Sequence, residues 1–218
     1  MIRLRHPLGV LSRTSFAVAA LLSLASAALA NVPSAANSSA PDCIQLVGSG
    51  GGVPDGHGTL TIVVRDLANN PINSASVVID LSLCPDLAIC NDQLDPNALV
   101  NCGAKTTRKF TDVTGTVSFT VLGHSNGAGN AQELHGFGRI FANGTQLRAP
   151  TVSAFDLDGL SGVGAGDLSA WLGDFASGQP YGRADYDCTG STGAGDLSVW
   201  LGVFGAGQST SSCGVSCP

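Results

Sequence analysis

The 218-residue chain carries ten basic and sixteen acidic side chains, a formal net charge of −6, with only 12% charged residues and 29 glycines. An acidic, lysine-poor chain is a poor ligand for nucleic acid or anionic membrane, which sets those partners aside. Low charge combined with about twice the usual share of glycine implies many turns and a bland surface.

Arg3, Arg5 and Arg13 precede an apolar stretch from Phe16 to Leu29, and Ala28-Leu29-Ala30 is a small-residue cleavage pattern. Residues 1–30 are therefore predicted to be a secretory signal peptide. The stretch is too short and too rich in Ala and Ser for a membrane anchor, and no second long apolar run follows. Asn31 stands after the cut, so no lipid-carrying cysteine is expected there. Removal of the leader leaves seven basic against sixteen acidic residues, a net charge of −9. The expected location is secreted, extracellular or at the cell surface.

Residues 31–43, rich in Asn, Ser, Ala and Pro, read as a flexible lead. From 44 to 155 the pattern is strand-like. Thr59–Val64 and Ser76–Leu81 are rich in β-branched residues, and Thr116–Val121 alternates with period two, as a half-buried strand does. Asn143-Gly144 between Arg139–Ala142 and Thr145–Arg148 is a two-residue hairpin signal. Several short strands separated by Gly, Asn and Pro turns, with no helical pattern, predict an antiparallel β-sandwich. Val64-Arg65-Asp66, Asn70-Pro71-Ile72, Ala75-Ser76-Val77, Thr111-Asp112 and Gly115–Phe119 carry a resemblance to bacterial immunoglobulin-like domains. These are turns and core positions, so the resemblance implies a fold and no activity.

The insert from Cys84 to Lys109 interrupts the pattern and reads as a long connection stapled by a disulfide. Seven cysteines follow the leader: Cys43, Cys84, Cys90, Cys102, Cys188, Cys213 and Cys217. In an exported chain they are expected to form disulfides, with one thiol left over or paired between chains. Cys84 or Cys90 with Cys102, and a tail pinned by Cys213 and Cys217 with Cys188, are the pairings considered. No paired Cys-x-x-Cys spacing supports zinc.

An internal repeat dominates the last quarter. Asp156, Asp158 and Asp167 recur 29 residues later as Asp185, Asp187 and Asp196. Each set runs into Gly-Ala-Gly-Asp-Leu-Ser and then Trp-Leu-Gly-x-Phe. Three carboxylates within twelve residues repel one another unless a cation lies between them. Hard oxygen donors without His or Met select calcium. The aspartates fall at the first, third and twelfth positions of an EF-hand-like loop, with a backbone carbonyl expected at Gly162 or Ser191 and a water near Gly164 or Gly193. Leu168, Trp171, Leu172 and Phe175, and then Leu197, Trp200, Leu201 and Phe204, are spaced as apolar helix faces. Asp167 and Asp196 sit at the positive ends of these helices. Gly173 and Gly202 inside them imply a close approach of the two helices, and Gly178 and Gly207 mark stops.

The pair resembles a type I dockerin module over roughly residues 156–208. The resemblance implies calcium ligands Asp156, Asp158 and Asp167 in the first loop, and Asp185, Asp187, Thr189 and Asp196 in the second. It also implies a cohesin-like partner on a scaffold or surface protein, in the company of polysaccharide-degrading enzymes. Leu160 stands where the first loop would offer an oxygen and Ser161 replaces the turn glycine that Gly190 supplies in the second, so the second loop is the better furnished. Ala165-Gly166 and Ala194-Gly195 fill the positions that usually carry partner-recognition residues.

Trp171 and Trp200 are expected in the core of so small a unit rather than as sugar-stacking platforms. His57, His124 and His135 lie in loops, and Glu133 is the only glutamate. No opposed acid pair of the glycosidase kind stands out, because turn signals account for Asp66 and Asp112. No Gly-x-Ser-x-Gly or phosphate loop is present. The reading is a mainly β, non-catalytic, calcium-binding protein. An immunoglobulin-like sandwich (44–155) precedes a dockerin-like module (156–209) and a Cys-containing tail (210–218). The module's role is attachment to a cohesin-like or surface protein, or to another copy. Membership of a polysaccharide-degrading system and a structural surface-layer or fibre subunit are the alternatives.

Overall fold

A computed structural model describes residues 31–48, 58–93, 95–127, 138–160 and 162–206, with Cys213 and Cys217. The expected leader, His57, Glu133, His135, Ser161, Gly207 and most of the tail lie outside the described residues. Among the described residues the chain is mainly β, with eleven strands in four sheets and two α-helices. No helix among them is long and apolar enough to cross a membrane.

The strands are β1 (Cys43–Leu46), β2 (Thr59–Val63), β3 (Ser76–Asp80), β4 (Leu87–Ile89), β5 (Leu99–Asn101), β6 (Thr106–Phe110), β7 (Thr116–Thr120), β8 (Gly123–Ser125), β9 (Arg139–Ala142), β10 (Thr145–Arg148) and β11 (Thr151–Ala154). An antiparallel five-stranded sheet has the order β10-β9-β3-β6-β5. Strands β2 and β7 pair antiparallel, as do β4 and β8, while β1 and β11 pair parallel. The period-two pattern of the sequence becomes alternating burial. Leu60 and Ile62 of β2, Val77 and Ile79 of β3, Val117 and Phe119 of β7, and Ile140 and Ala142 of β9 all enter one apolar cluster. Asn143 (φ 45°) and Gly144 (φ 83°) turn β9 into β10 as the hairpin signal requires.

The segment read as a flexible lead is tied to the β region. Ser39 and Val63 exchange both backbone hydrogen bonds at 2.8 Å, and Asn37 Nδ2 donates to the carbonyl of Asp66 at 2.8 Å. The Cys84–Lys109 insert carries β4, β5 and most of β6, with a 3-10 turn at Cys102–Ala104.

The disulfides correct the expected pairings. Cys43 joins Cys188, Cys90 joins Cys213 and Cys102 joins Cys217, at sequence separations of 145, 123 and 115 residues. None staples the insert to itself, and Cys188 does not pair with the tail. Each bridge instead ties the β region to the C-terminal quarter. The leftover thiol is Cys84, buried, with burial pushing it up to about 12.

Helix α1 (Ala165–Ser177) and helix α2 (Ala194–Gly205) follow the two aspartate loops. Their apolar contents enter a second cluster that crosses the 155/156 boundary. Val47, Cys90, Leu122 and Phe155 pack there with Leu157, Trp171, Tyr186, Trp200 and Val203. Trp171 and Trp200 are 2% and 1% exposed, as expected of core residues. The helices press Trp171, and Trp200 with Val203, into this cluster, bury Asp174 as well, and leave Leu172, Phe175, Leu201 and Phe204 about half exposed. The buried stripe is thus rotated from the one the sequence pattern suggested. The glycines are corrected too, since a Cβ added at Gly173 or Gly202 meets nothing within 4 Å. They lie on the outer faces and mark no close helix approach.

Asp174, buried on α1, forms a two-pronged ion pair with Arg183 at 2.8 and 2.7 Å. Arg183 lies in the turn between the repeats and reaches Ser125 Oγ of β8 at 3.3 Å. Removing one partner of such a buried pair leaves the other charge uncompensated away from water.

Two substitutions separate these effects. Gly202→Ala is expected to raise stability by about 1 kcal/mol, because it adds helix propensity without a clash. Asp174→Ala is expected to lower it by about 3–5 kcal/mol by stranding the buried guanidinium. Denaturant unfolding of the full chain measures both.

Candidate metal centre

Each loop is built by its closing aspartate. Asp167, in the first turn of α1, accepts from the Gly164 N–H through Oδ2 at 2.6 Å, which satisfies one of the free donors of the helix start. Its Oδ1 accepts from the N–H groups of Leu157 at 2.6 Å and Asp158 at 3.0 Å, so one carboxylate ties the helix to the beginning of the loop. Asp196 repeats this, accepting from Gly193 at 2.7 Å and from Asp187 at 3.0 Å. At the first position, Asp156 Oδ1 accepts from the Gly159 N–H at 2.7 Å. Asp185 accepts from Thr189 and Gly190, each at 3.0 Å.

The carboxylates converge. In each of the sets Asp156, Asp158, Asp167 and Asp185, Asp187, Asp196, one oxygen per residue lies within 4.8 Å of the others. The first and last of each set are about 1% exposed. Asp158 and Asp187 fold over the helix starts so closely that a Cβ at Gly166 or Gly195 would collide with the carboxylate. The repeated glycine before each closing aspartate therefore has a steric reason. Thr189 lies in the second loop, but its hydroxyl leans to the Ser191 carbonyl at 3.4 Å. Leu160, its counterpart, is 69% exposed and offers no oxygen.

Burial first, and then the charge of Asp167, push Asp156 from 3.8 up to about 7. Burial also raises Asp167 and Asp185. Among the described residues Asp156 Oδ2 is buried and has no hydrogen-bond partner. A buried carboxylate oxygen without a donor, beside two more carboxylates, fits a hard cation better than any side chain present. The donor set is entirely oxygen.

Several residues outside the aspartate sets hold the loops in place. Phe155 and Tyr186 stack with ring centroids 4.9 Å apart, joining the first loop to the second. Tyr186 Oη donates to the Ala154 carbonyl at 3.0 Å and Trp200 Nε1 to that of Phe155 at 3.2 Å. Gln45 Nε2 of β1 donates to the Tyr186 carbonyl at 2.7 Å. Sequence reasoning passed over Gln45, Phe155 and Tyr186, and placed Trp200 in the core without a partner. One signal was present, an apolar residue between the first two aspartates of each copy, Leu157 and Tyr186, both buried.

The repeats differ in which residue takes the left-handed region three places after the first aspartate. Gly159 has φ 71°, and its counterpart Cys188 has φ 54°. Glycine accepts the left-handed region freely, whereas another L-residue there costs about 1–2 kcal/mol. Cys188 is also the residue bridged to Cys43.

The acids outside the loops have structural work. Asp66 Oδ1 accepts from the N–H groups of Ala68 and Asn70, and Asn70 holds it below its ordinary value. Asp112 caps the turn into β7, with the Thr114 hydroxyl holding it low. Asp80 pairs with Arg139 at 2.6 Å. His124 is buried, with Nδ1 2.6 Å from the Ser125 carbonyl. No known protein family, curated protein or solved structure matches the chain.

The raised carboxylates set the pH response of the metal-free chain. Between about pH 4 and pH 7 the folded chain keeps the Asp156 proton while the unfolded chain has lost it. Folding then binds the proton, so the Asp156 contribution to stability is greatest below pH 4 and declines as pH rises to 7. Asp66 and Asp112 act with the opposite sign, but only below their ordinary values. The melting temperature in chelator is expected to be higher at pH 5 than at pH 8, as a thermal scan at matched ionic strength will read.

Proposed function

We propose that this chain is an exported, non-catalytic calcium-binding protein in which a dockerin-like pair of loop–helix repeats mediates attachment to another protein. The observation that carries the reading is the buried, unpartnered Asp156 Oδ2 within a carboxylate set that recurs in register. Asp156, Asp158 and Asp167 would hold one ion, and Asp185, Asp187 and Asp196 the other. Carbonyls of Gly162 and Ser191 and the Thr189 oxygen are further donors in reach along the chain. Oxygens up to 4.8 Å apart suit a cation with ligand distances of about 2.4 Å, within the calcium range. A bound ion supplies the positive charge that buried like charges lack, and so couples folding to the calcium level outside the cell.

An immunoglobulin-like sandwich is the reading we favour for the β region. Its support is that buried residues of the five-stranded sheet and of β2 and β7 meet in one cluster. Attachment is supported by Leu172, Phe175, Leu201 and Phe204, which stand about half exposed on matching positions of the two helices. Duplicated apolar positions on rigid helices suit a protein surface, either a cohesin-like partner or a second copy. The three bridges to the β region favour a stiff unit over a module on a free linker.

Calcium titration of the full chain by calorimetry, with a melting scan in calcium and in chelator, tests the reading. At about 100 times the dissociation constant each occupied site is expected to add about 2.7 kcal/mol. Asp187→Ala is expected to remove the second-site share. Because the two regions share a core, the whole chain should melt higher in calcium. No heat of uptake at millimolar calcium overturns the proposal. Light scattering and pull-down from the host's extracellular fraction, with and without calcium, distinguish self-association from a second protein.

A further inference from the structure

The two loops are near copies, yet only the second is covalently anchored. Cys188 lies between Asp187 and Thr189, and its bridge reaches Cys43 at the start of β1. The first loop has Gly159 at the matching place, with φ 71° against 54° for Cys188. Glycine needs no help to occupy the left-handed region, and cysteine does. The backbone after this residue is what the site is made of. The N–H of Thr189 donates to Asp185 Oδ1 at 3.0 Å and to Asp187 Oδ1 at 3.1 Å, and the N–H of Gly190 donates to Asp185 Oδ2 at 3.0 Å. Two carboxylates are thus oriented by the turn that Cys188 begins. Gln45, two residues along β1 from Cys43, holds the same loop through the Tyr186 carbonyl.

We propose that the Cys43–Cys188 disulfide is a redox control on the second metal site, holding Cys188 in the left-handed turn that aims Asp185 and Asp187. Both cysteines are half-buried, whereas Cys90 of the second bridge and Cys217 of the third are fully buried, so this bridge is the one open at both ends to a small reductant. A dithiol passes two electrons and two protons to it by thiol–disulfide exchange. The products are the Cys43 and Cys188 thiols and the oxidised, cyclic form of the dithiol. Cys188 then leaves the left-handed region, the Thr189 and Gly190 donors swing away, and the second site loses affinity while the first keeps its own. Coupling runs both ways, so an occupied site resists reduction of the bridge by the same factor.

The inference rests on the metal reading above, and the test keeps their failures apart. Calcium calorimetry on the full oxidised chain is compared with Cys43→Ser/Cys188→Ser and Cys43→Ser/Cys188→Gly. The serine pair is expected to weaken one site about tenfold and spare the other. The glycine variant should recover most of that loss, since it can take the turn unaided. Two sites of unchanged affinity in the serine pair overturn the inference and leave the metal reading intact, and so does a glycine variant as weak as the serine one. No uptake by the oxidised chain overturns both. A second measurement needs no variant. The wild-type chain is equilibrated with graded ratios of reduced to oxidised dithiol, in calcium and in chelator, and Cys43 and Cys188 are quantified after alkylation. A tenfold coupling displaces the midpoint by about 30 mV towards harder reduction in calcium. Coincident midpoints overturn the inference even if the variants do not fold.

Discussion

Four carboxylates about 1% exposed, Asp156, Asp167, Asp185 and Asp196, are the constraint around which the C-terminal quarter is organised. Removing a carboxylate from water is costly, and gathering like charges adds repulsion. The chain answers with donors. Backbone N–H groups at both helix starts and loop beginnings point at Asp167 and Asp196, and turn N–H groups point at Asp156 and Asp185. These bonds leave Asp156 Oδ2 without a donor, and burial with the Asp167 charge moves that group up to about 7. The proposed cation supplies what the backbone does not.

The repeat is held as part of the β region. Trp171 and Trp200 fill a cluster whose other wall is Val47, Leu122 and Phe155. The parallel pair β1 and β11 is the hinge of this arrangement. Strand β11 runs into Phe155 and Asp156, while β1 carries Cys43 and Gln45 to the second loop. The Asp174–Arg183 pair closes the seam on the side of β8. Both loops are therefore oriented from one ladder, and the Phe155–Tyr186 stack places them against each other. What the helices leave outward is Leu172, Phe175, Leu201 and Phe204, a surface defined by which helix face the β region takes.

Local features were legible in the sequence. The alternation of β2, β3 and β7, the Asn143-Gly144 turn and the two helices need only near neighbours to be recognised, and each formed where the pattern placed it. The aspartate sets were legible because a 29-residue repeat makes register visible. Orientation was not. The apolar positions of each helix span a wide arc, and the β region takes the part centred on Trp171 or Trp200. Gly173 and Gly202 suggested helix contact, but the partner wall lies elsewhere and they face open space. The insert, with three cysteines close together in sequence, suggested a local staple. Two of them, Cys90 and Cys102, instead meet residues more than a hundred positions away, and Cys84 stays a thiol.

The sequence by itself determined the mainly β class, the hairpin, the helix-forming segments and the carboxylate triads, because all of these follow from spacing within a dozen residues or from exact repetition. Only the tertiary structure decided which cysteines meet, that Asp174 pairs with Arg183, that the two halves share a core, and that Cys188 takes a left-handed backbone in the second loop. Such outcomes depend on which surfaces are brought together across long loops. That choice is made by the total apolar area buried, to which no short stretch of sequence bears a fixed relation.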